Sequence, residues 1–283
     1  MKYAGYGLLI SLLSILIFSC VERIDIELDD SYIRLVVDGS LTTDTTAHTV
    51  LLTTTTSYYY NQSAPPVTGA RLQISDGTDV YQLNEEAPGV YRTAPDVYGI
   101  TGKTYTLKIN LEVQVGGYID YTAISTLYPV SHLDSVSLTF HSDWSEDGIW
   151  EVKCYVQDPP TEDFYRFMVS KNRKMLSDTL DEWFVTDDRF FNGNYAYGAP
   201  IAYLQQDKDD EILSEGDTVS VEMNSIGAEY ANFIWEAQAE VRGSNPLFSG
   251  PPANVKGNIN NGASGFFAAY SASRFYTIVT DSL

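Results

Sequence analysis

The chain has 283 residues, 44% hydrophobic and 13% aromatic, with a formal net charge of -21 at pH 7. Such a composition excludes a disordered polymer. A surface this acidic repels phosphate backbones and anionic headgroups, so it argues against nucleic acid as a partner and against electrostatic docking on membranes.

At the start, Lys2 precedes an apolar run from Leu8 to Phe18 that is interrupted only by Ser11 and Ser14. The run has signal-peptide length and falls short of the roughly 20 apolar residues a spanning helix needs. Ile17-Phe18-Ser19-Cys20 resembles a bacterial lipobox, with a bulkier residue than usual at Phe18. The resemblance implies a lipoprotein signal peptide over residues 1–19 and diacylglycerol on the Cys20 sulfur. Residues 20–31 are then an acylated cysteine and an acidic tether carrying Glu22, Asp25, Glu27, Asp29 and Asp30. Acidic residues placed just after the cysteine resemble the surface-export signal of Bacteroidetes lipoproteins. Ile24, Ile26 and Leu28 alternate, which also fits the beginning of a strand.

Residues 32–128 read as β throughout. "YIRLVVDGSLTT", "HTVLLTTTT", "ARLQISDG", "DVYQLNE", "GVYRT", "TYTLKINLEVQVGG" and "YIDYTAISTLY" are short, rich in β-branched and aromatic residues, and separated by turn formers. Seven such runs predict a sandwich, because one face of each strand must be covered. Asp76-Gly77 and Gly116-Gly117 are hairpin signals. The Gly69-Ala70 step, Gly89-Val90-Tyr91 and Gly102 before Tyr105 resemble transthyretin-like or carboxypeptidase-regulatory sandwich modules, which imply a spacer or docking surface.

After an extended step at Pro129, a second β-rich block is expected over 132–283. "LDSVSLTFH", "IWEVKCYVQD", "DFYRFMVSKN" and "DTVSVEMNSI" are its strands, with an irregular stretch over roughly 172–216. With Cys20 acylated, Cys154 has no disulfide partner, and its place in an alternating strand predicts a buried, inert thiol. One amphipathic helix is predicted near 228–242, with Tyr230, Phe233, Ile234, Ala237 and Val241 on its buried stripe. The tail predicts a Gly/Asn loop and two closing strands.

Lipobox, acidic tether, "DPPTEDFYRFMV", "TDDRFFNG", "GDTVSVEMNSI" and "PPANVKGNINNGASGFFAAYS" together resemble an uncharacterised Bacteroidetes outer-membrane lipoprotein family, domain of unknown function 4249. The resemblance runs along the whole mature chain. It implies an accessory lipoprotein of TonB-dependent outer-membrane transporters, and it supplies no catalytic residue to carry over.

His48, His132 and His141 lie in no metal-ligand spacing, and no nucleophile elbow or phosphate loop is present. "HSDWSEDG" offers a weak calcium candidate in Asp143, Ser145 and Asp147, while a polar hairpin explains it equally well. Aromatic residues in loop-like contexts, Tyr58, Tyr59, Tyr60, Tyr195 and Tyr197, suit a partner or a sugar. Asn258 and Asn260 favour tight turns, as a clamp closing the second block or as a partner contact. The expectation is therefore a non-enzymatic, cell-surface lipoprotein of the outer membrane that docks on a transporter or companion lipoprotein. The alternative is a glycan- or nutrient-binding surface lipoprotein.

Overall fold

Alternation of apolar and polar residues becomes a ladder of fifteen strands in a computed structural model, which describes residues 33–56, 63–243 and 255–280. All seven strands expected in the first block are present. They are β1 (Leu35–Thr42), β2 (Thr49–Thr54), β3 (Arg71–Ser75), β4 (Val80–Ala87), β5 (Val90–Arg92), β6 (Thr104–Val115) and β7 (Tyr118–Thr126). The second block supplies β8 (Leu133–His141), β9 (Ile149–Gln157), β10 (Phe164–Lys171), β11 (Lys174–Met175) and β12 (Phe184–Asp187). It continues with β13 (Tyr195–Gln205), β14 (Thr218–Ile226), helix α1 (Ala228–Gly243) and β15 (Ser264–Ile278). The protein is mainly β, with two sheets and one α-helix among the described residues.

Both expected hairpins form. Asp76 accepts the backbone N–H groups of Thr78 and Asp79 and pairs with Lys103, while Gly116 and Gly117 take φ values of 59° and 86°, as a two-residue turn with matching twist requires. Three buried tyrosines then staple the loops. Tyr91 donates to the Val67 carbonyl and accepts from Ala70 N–H, Tyr105 accepts Ile100 N–H, and Tyr121 donates to the Val115 carbonyl. Each buried ring contributes apolar area while its hydroxyl satisfies backbone groups that would otherwise be orphaned.

Where the sequence reads as two separate blocks, the structure links them through one strand. The tail expected to hold two closing strands is a single 15-residue strand, β15. Its first half pairs in parallel with β1, Val36 opposite Ser264 through Thr42 opposite Tyr270. Its second half pairs antiparallel with β14, Ser271 opposite Ser225 through Ile278 opposite Thr218. Phe267 and Ala269 enter the core built from β1 to β7, and Phe275 packs on the core beneath β8, β9 and β13. Residues 33–283 accordingly form one compact unit. The linker around Pro129 is held to the same strand, with Ser271 donating to the Tyr128 carbonyl and Leu133 N–H donating to Ser273.

The opposite face of β15 carries the helix. Phe266, Ala268 and Tyr270 pack with Ala231 and Ile234 of α1. Val241, expected on the buried stripe, is exposed, and Gln238 is buried instead. Polarity misled the pattern here, because both N–H groups of the Gln238 amide donate, to the carbonyls of Leu180 and Trp183 in and just after a preceding 3-10 turn. Arg166 of β10 is buried on this face as well. Its guanidinium donates twice to Asn224 Oδ1, at 3.0 and 2.8 Å, and once to Tyr230, and lies 4.6 Å from the ring centres of Trp183 and Tyr270. Asn224 donates on to Glu222, which accepts from Arg274, itself forked onto Asp44. One polar chain thus runs across four neighbouring segments, from the buried guanidinium under the helix to the exposed Arg274–Asp44 pair.

Candidate functional site: an aromatic sheet face and its acidic end

The second sheet has three strands in the order β13-β9-β8. Strand alternation sends Trp150, Val152, Cys154 and Val156 of β9 into the core and leaves Glu151, Lys153 and Tyr155 on the other side. Cys154 is buried, and burial pushes its thiol up to about 12, which leaves it protonated and inert at neutral pH.

The outward face gathers rings. Tyr197 stands opposite Tyr155 and Tyr203 opposite Glu151 in the β13–β9 register. Tyr197 is 84% exposed and Tyr203 half exposed, and Tyr195 lies 4.5 Å from Tyr197 between ring centres. Trp144, on the β8–β9 turn, stacks flat on His141 at 3.6 Å and 5° and approaches Tyr203 at 5.9 Å. His141 and Lys153 both bond Glu151, and these two partners hold its carboxyl below its usual range. The face is therefore a set of aromatic plates with fixed polar groups between them.

Tyr195 and Tyr197 were expected in a loop and stand on an 11-residue strand. Gly198 and Pro200 disguise that strand, since both break a β pattern. The structure accommodates them with register shifts between Tyr197 and Ala199 and between Pro200 and Ala202. At Gly198, with φ of 75°, an added Cβ would press on the Tyr155 hydroxyl at 3.1 Å. Trp144 and Tyr203 were not singled out by the sequence reading. Trp144 lay inside the segment read for calcium, and Tyr203 at the end of the segment read as loop.

Tyr58, Tyr59, Tyr60 and Cys20 lie outside the described residues. Asn258 and Asn260 are clamps. Asn258 bonds both backbone groups of Phe267 and the Ile124 carbonyl, while Asn260 accepts Thr122 N–H and donates its own N–H to the Thr122 carbonyl. With Asn261 donating to the Asp120 carbonyl, the loop bonds along β7, the last strand of the large sheet. The edge closed in this way belongs to the first block, whereas the sequence pointed to the second.

Asp143, Ser145 and Asp147 occupy an exposed turn, and the carboxylates that converge lie elsewhere. Among the described residues, Asp158, Asp163 and Asp188 bring one oxygen each within 4.8 Å of one another, at the end of β9 that faces the start of β13. Asp158 accepts from Tyr165 at 2.6 Å and from Gly193 N–H at 3.0 Å, and Asp188 accepts Asp163 N–H. Burial raises the Asp158 carboxyl above its ordinary value, and its acidic neighbours add to the shift. Burial and the facing Asp158 raise the Tyr165 hydroxyl too. An oxygen set of this kind shares protons or takes a hard cation.

Fold and surface together define a two-sheet, sandwich-like β protein whose exposed chemistry is aromatic. The family described as Domain of unknown function (DUF4249) matches residues 21–275, and the chain belongs to that family. No curated protein matches it. Among solved structures, a chain titled "Cytokine receptor complex - Crystal form 1A" is similar at 12% identity over 68% of this chain and 82% of that one, with a TM-score of 0.20, too low to carry an argument.

Proposed function

We propose that this protein is a non-enzymatic lipoprotein, tethered to the outer membrane through Cys20, that docks on a TonB-dependent transporter or a companion lipoprotein. The docking surface is the outer face of β13-β9-β8. The observation that carries the reading is the grouping of Trp144, Tyr195, Tyr197 and Tyr203 on one solvent-facing sheet. Large amphipathic rings left in water are the residues that anchor protein interfaces. The lipobox resemblance supports the anchor, and the transporter follows from what the family resemblance implies.

A glycan or nutrient is the second reading, favoured by the close Tyr195–Tyr197 pair. Neighbouring rings on this face meet at 55° and 52°, so they offer no common plane for a chain of sugars to stack upon. That geometry favours a protein partner with its own relief. Affinity purification in mild detergent should recover a β-barrel transporter or second lipoprotein with the native protein and lose it with Tyr197→Ser/Tyr203→Ser. Equal recovery with the double variant would refute this surface, and calorimetric sugar binding lost in that variant would favour the second reading.

A further inference from the structure

We infer that the tip of the β6–β7 hairpin is a bilayer-contacting surface that sets how the anchored protein stands on its membrane. The inference rests on the lipid-anchor reading and deepens it.

Between the paired residues Asn110–Asp120 and Val115–Tyr118, β6 holds four residues where β7 holds only Ile119. The excess makes a bulged, protruding end. Leu111 turns inward, while Val113 is 75% exposed and Tyr118 and Ile119 are each about half exposed. The tip is built to hold its shape, because the Gly116-Gly117 turn closes it and the buried Tyr121 bonds the Val115 carbonyl and rests edge-on against Tyr118 at 6.4 Å. Apolar side chains on a fixed support are what an interface-seeking surface needs.

The occupant follows from where the chain leaves the fold. Gly116 sits against the Ile33 carbonyl, and Ile33 adds a fourth exposed apolar side chain beside the tip. Residues 21–32 connect this point to Cys20 and span at most about 40 Å. An acyl chain on that sulfur therefore keeps this end of the molecule within about 40 Å of the bilayer, inside reach of the hairpin tip. The second half of β15, which carries the three-stranded sheet beside it, begins seven residues beyond Ser264, roughly 23 Å further along the strand axis. With the hairpin resting on lipid, the aromatic face stands farther from the bilayer than the tip does. Glu112 and Asp120 flank the tip, and the net charge of -21 adds no attraction to anionic headgroups, so the contact is apolar and suits zwitterionic lipid.

The test uses the acylated protein in phosphatidylcholine vesicles with a fluorophore on V113C or, as a reference, on Y197C; Cys154 is buried and Cys20 is consumed by the lipid. The V113C probe should be quenched at least twofold by nitroxide-labelled lipid and shielded from aqueous iodide, and the Y197C probe should behave oppositely. Iodide quenching of both probes to the same extent overturns the inference, placing the tip in water. Protection of the V113C probe from both quenchers also overturns it, placing a second copy of the chain on the tip. Intact mass of the same preparation separates the two readings: an unmodified Cys20 defeats the anchor, whereas an acylated Cys20 with an iodide-quenched V113C probe defeats only the tip.

Discussion

Asn258 bonds Phe267 as though the two were partners in a ladder, its Oδ1 accepting the Phe267 N–H at 2.9 Å and its Nδ2 donating to the Phe267 carbonyl at 2.8 Å. The same amide nitrogen reaches the Ile124 carbonyl on β7 at 3.0 Å. A single side chain therefore ties β7, the last strand of the large sheet, to β15 in that sheet's interior. Asn258→Ala should cost about 2–3 kcal/mol, since it removes three bonds and orphans part-buried backbone groups. Asn258→Asp keeps only the acceptor and should also lose stability. Chemical denaturation reads the effect, and a change below about 0.5 kcal/mol would show that the clasp is ornamental.

Gly265 explains the tightness of this closure. With φ of 93°, it lies so close to β1 that an added Cβ would collide with the Val37 carbonyl oxygen. Gly265→Ala should break the β1–β15 pairing that joins the two halves, giving a protein that unfolds at much lower denaturant or fails to accumulate folded. Native-like stability in this variant would contradict the packing described.

Arg166 should resist its nearest substitute. Lysine cannot make the paired bonds to Asn224 or stack its charge flat over Trp183 and Tyr270. Arg166→Lys is expected to cost about 2–3 kcal/mol, read by urea unfolding at pH 7. An unchanged midpoint would mean that shape alone seats the helix.

The acidic cluster predicts a pH response with a definite sign. Burial raises the Asp158 carboxyl, so the folded chain holds that proton more tightly than the unfolded chain does. This group's contribution to stability is full below its ordinary value near 3.8 and is lost as pH rises through the raised folded value. Asp76 behaves oppositely: Lys103 and two backbone N–H groups lower it to about 2, so its contribution is present above 3.8 and lost as pH falls toward 2. Stability should therefore gain an Asp158 contribution as pH falls from the raised folded value toward 3.8, and Asp158→Asn should flatten that slope. An unaltered slope would remove Asp158 as the cause.

Local chemistry explains what the sequence disclosed. The seven strands of the first block and both glycine-containing hairpins were legible because turn residues bracket short alternating runs. Strand β13 was not, since Gly198 and Pro200 conceal a ladder whose bulges only the partner strand reveals. Gln238 was absent from the expected buried stripe because its carbonyl partners lie more than 50 residues away. The convergence of Asp158, Asp163 and Asp188 depends on loops meeting in space, and no spacing announces it. Tyr195 and Tyr197 were found as rings, but their company of Trp144 and Tyr203 required the register of three strands.

The most direct test of the account is a photo-crosslinker placed at Tyr197 in the native membrane, compared with one at Tyr98, which is exposed on the first block. The docking reading predicts a discrete product at Tyr197 containing an outer-membrane β-barrel protein or a second lipoprotein, and none at Tyr98. Equal products at both positions, or none at Tyr197, would contradict it.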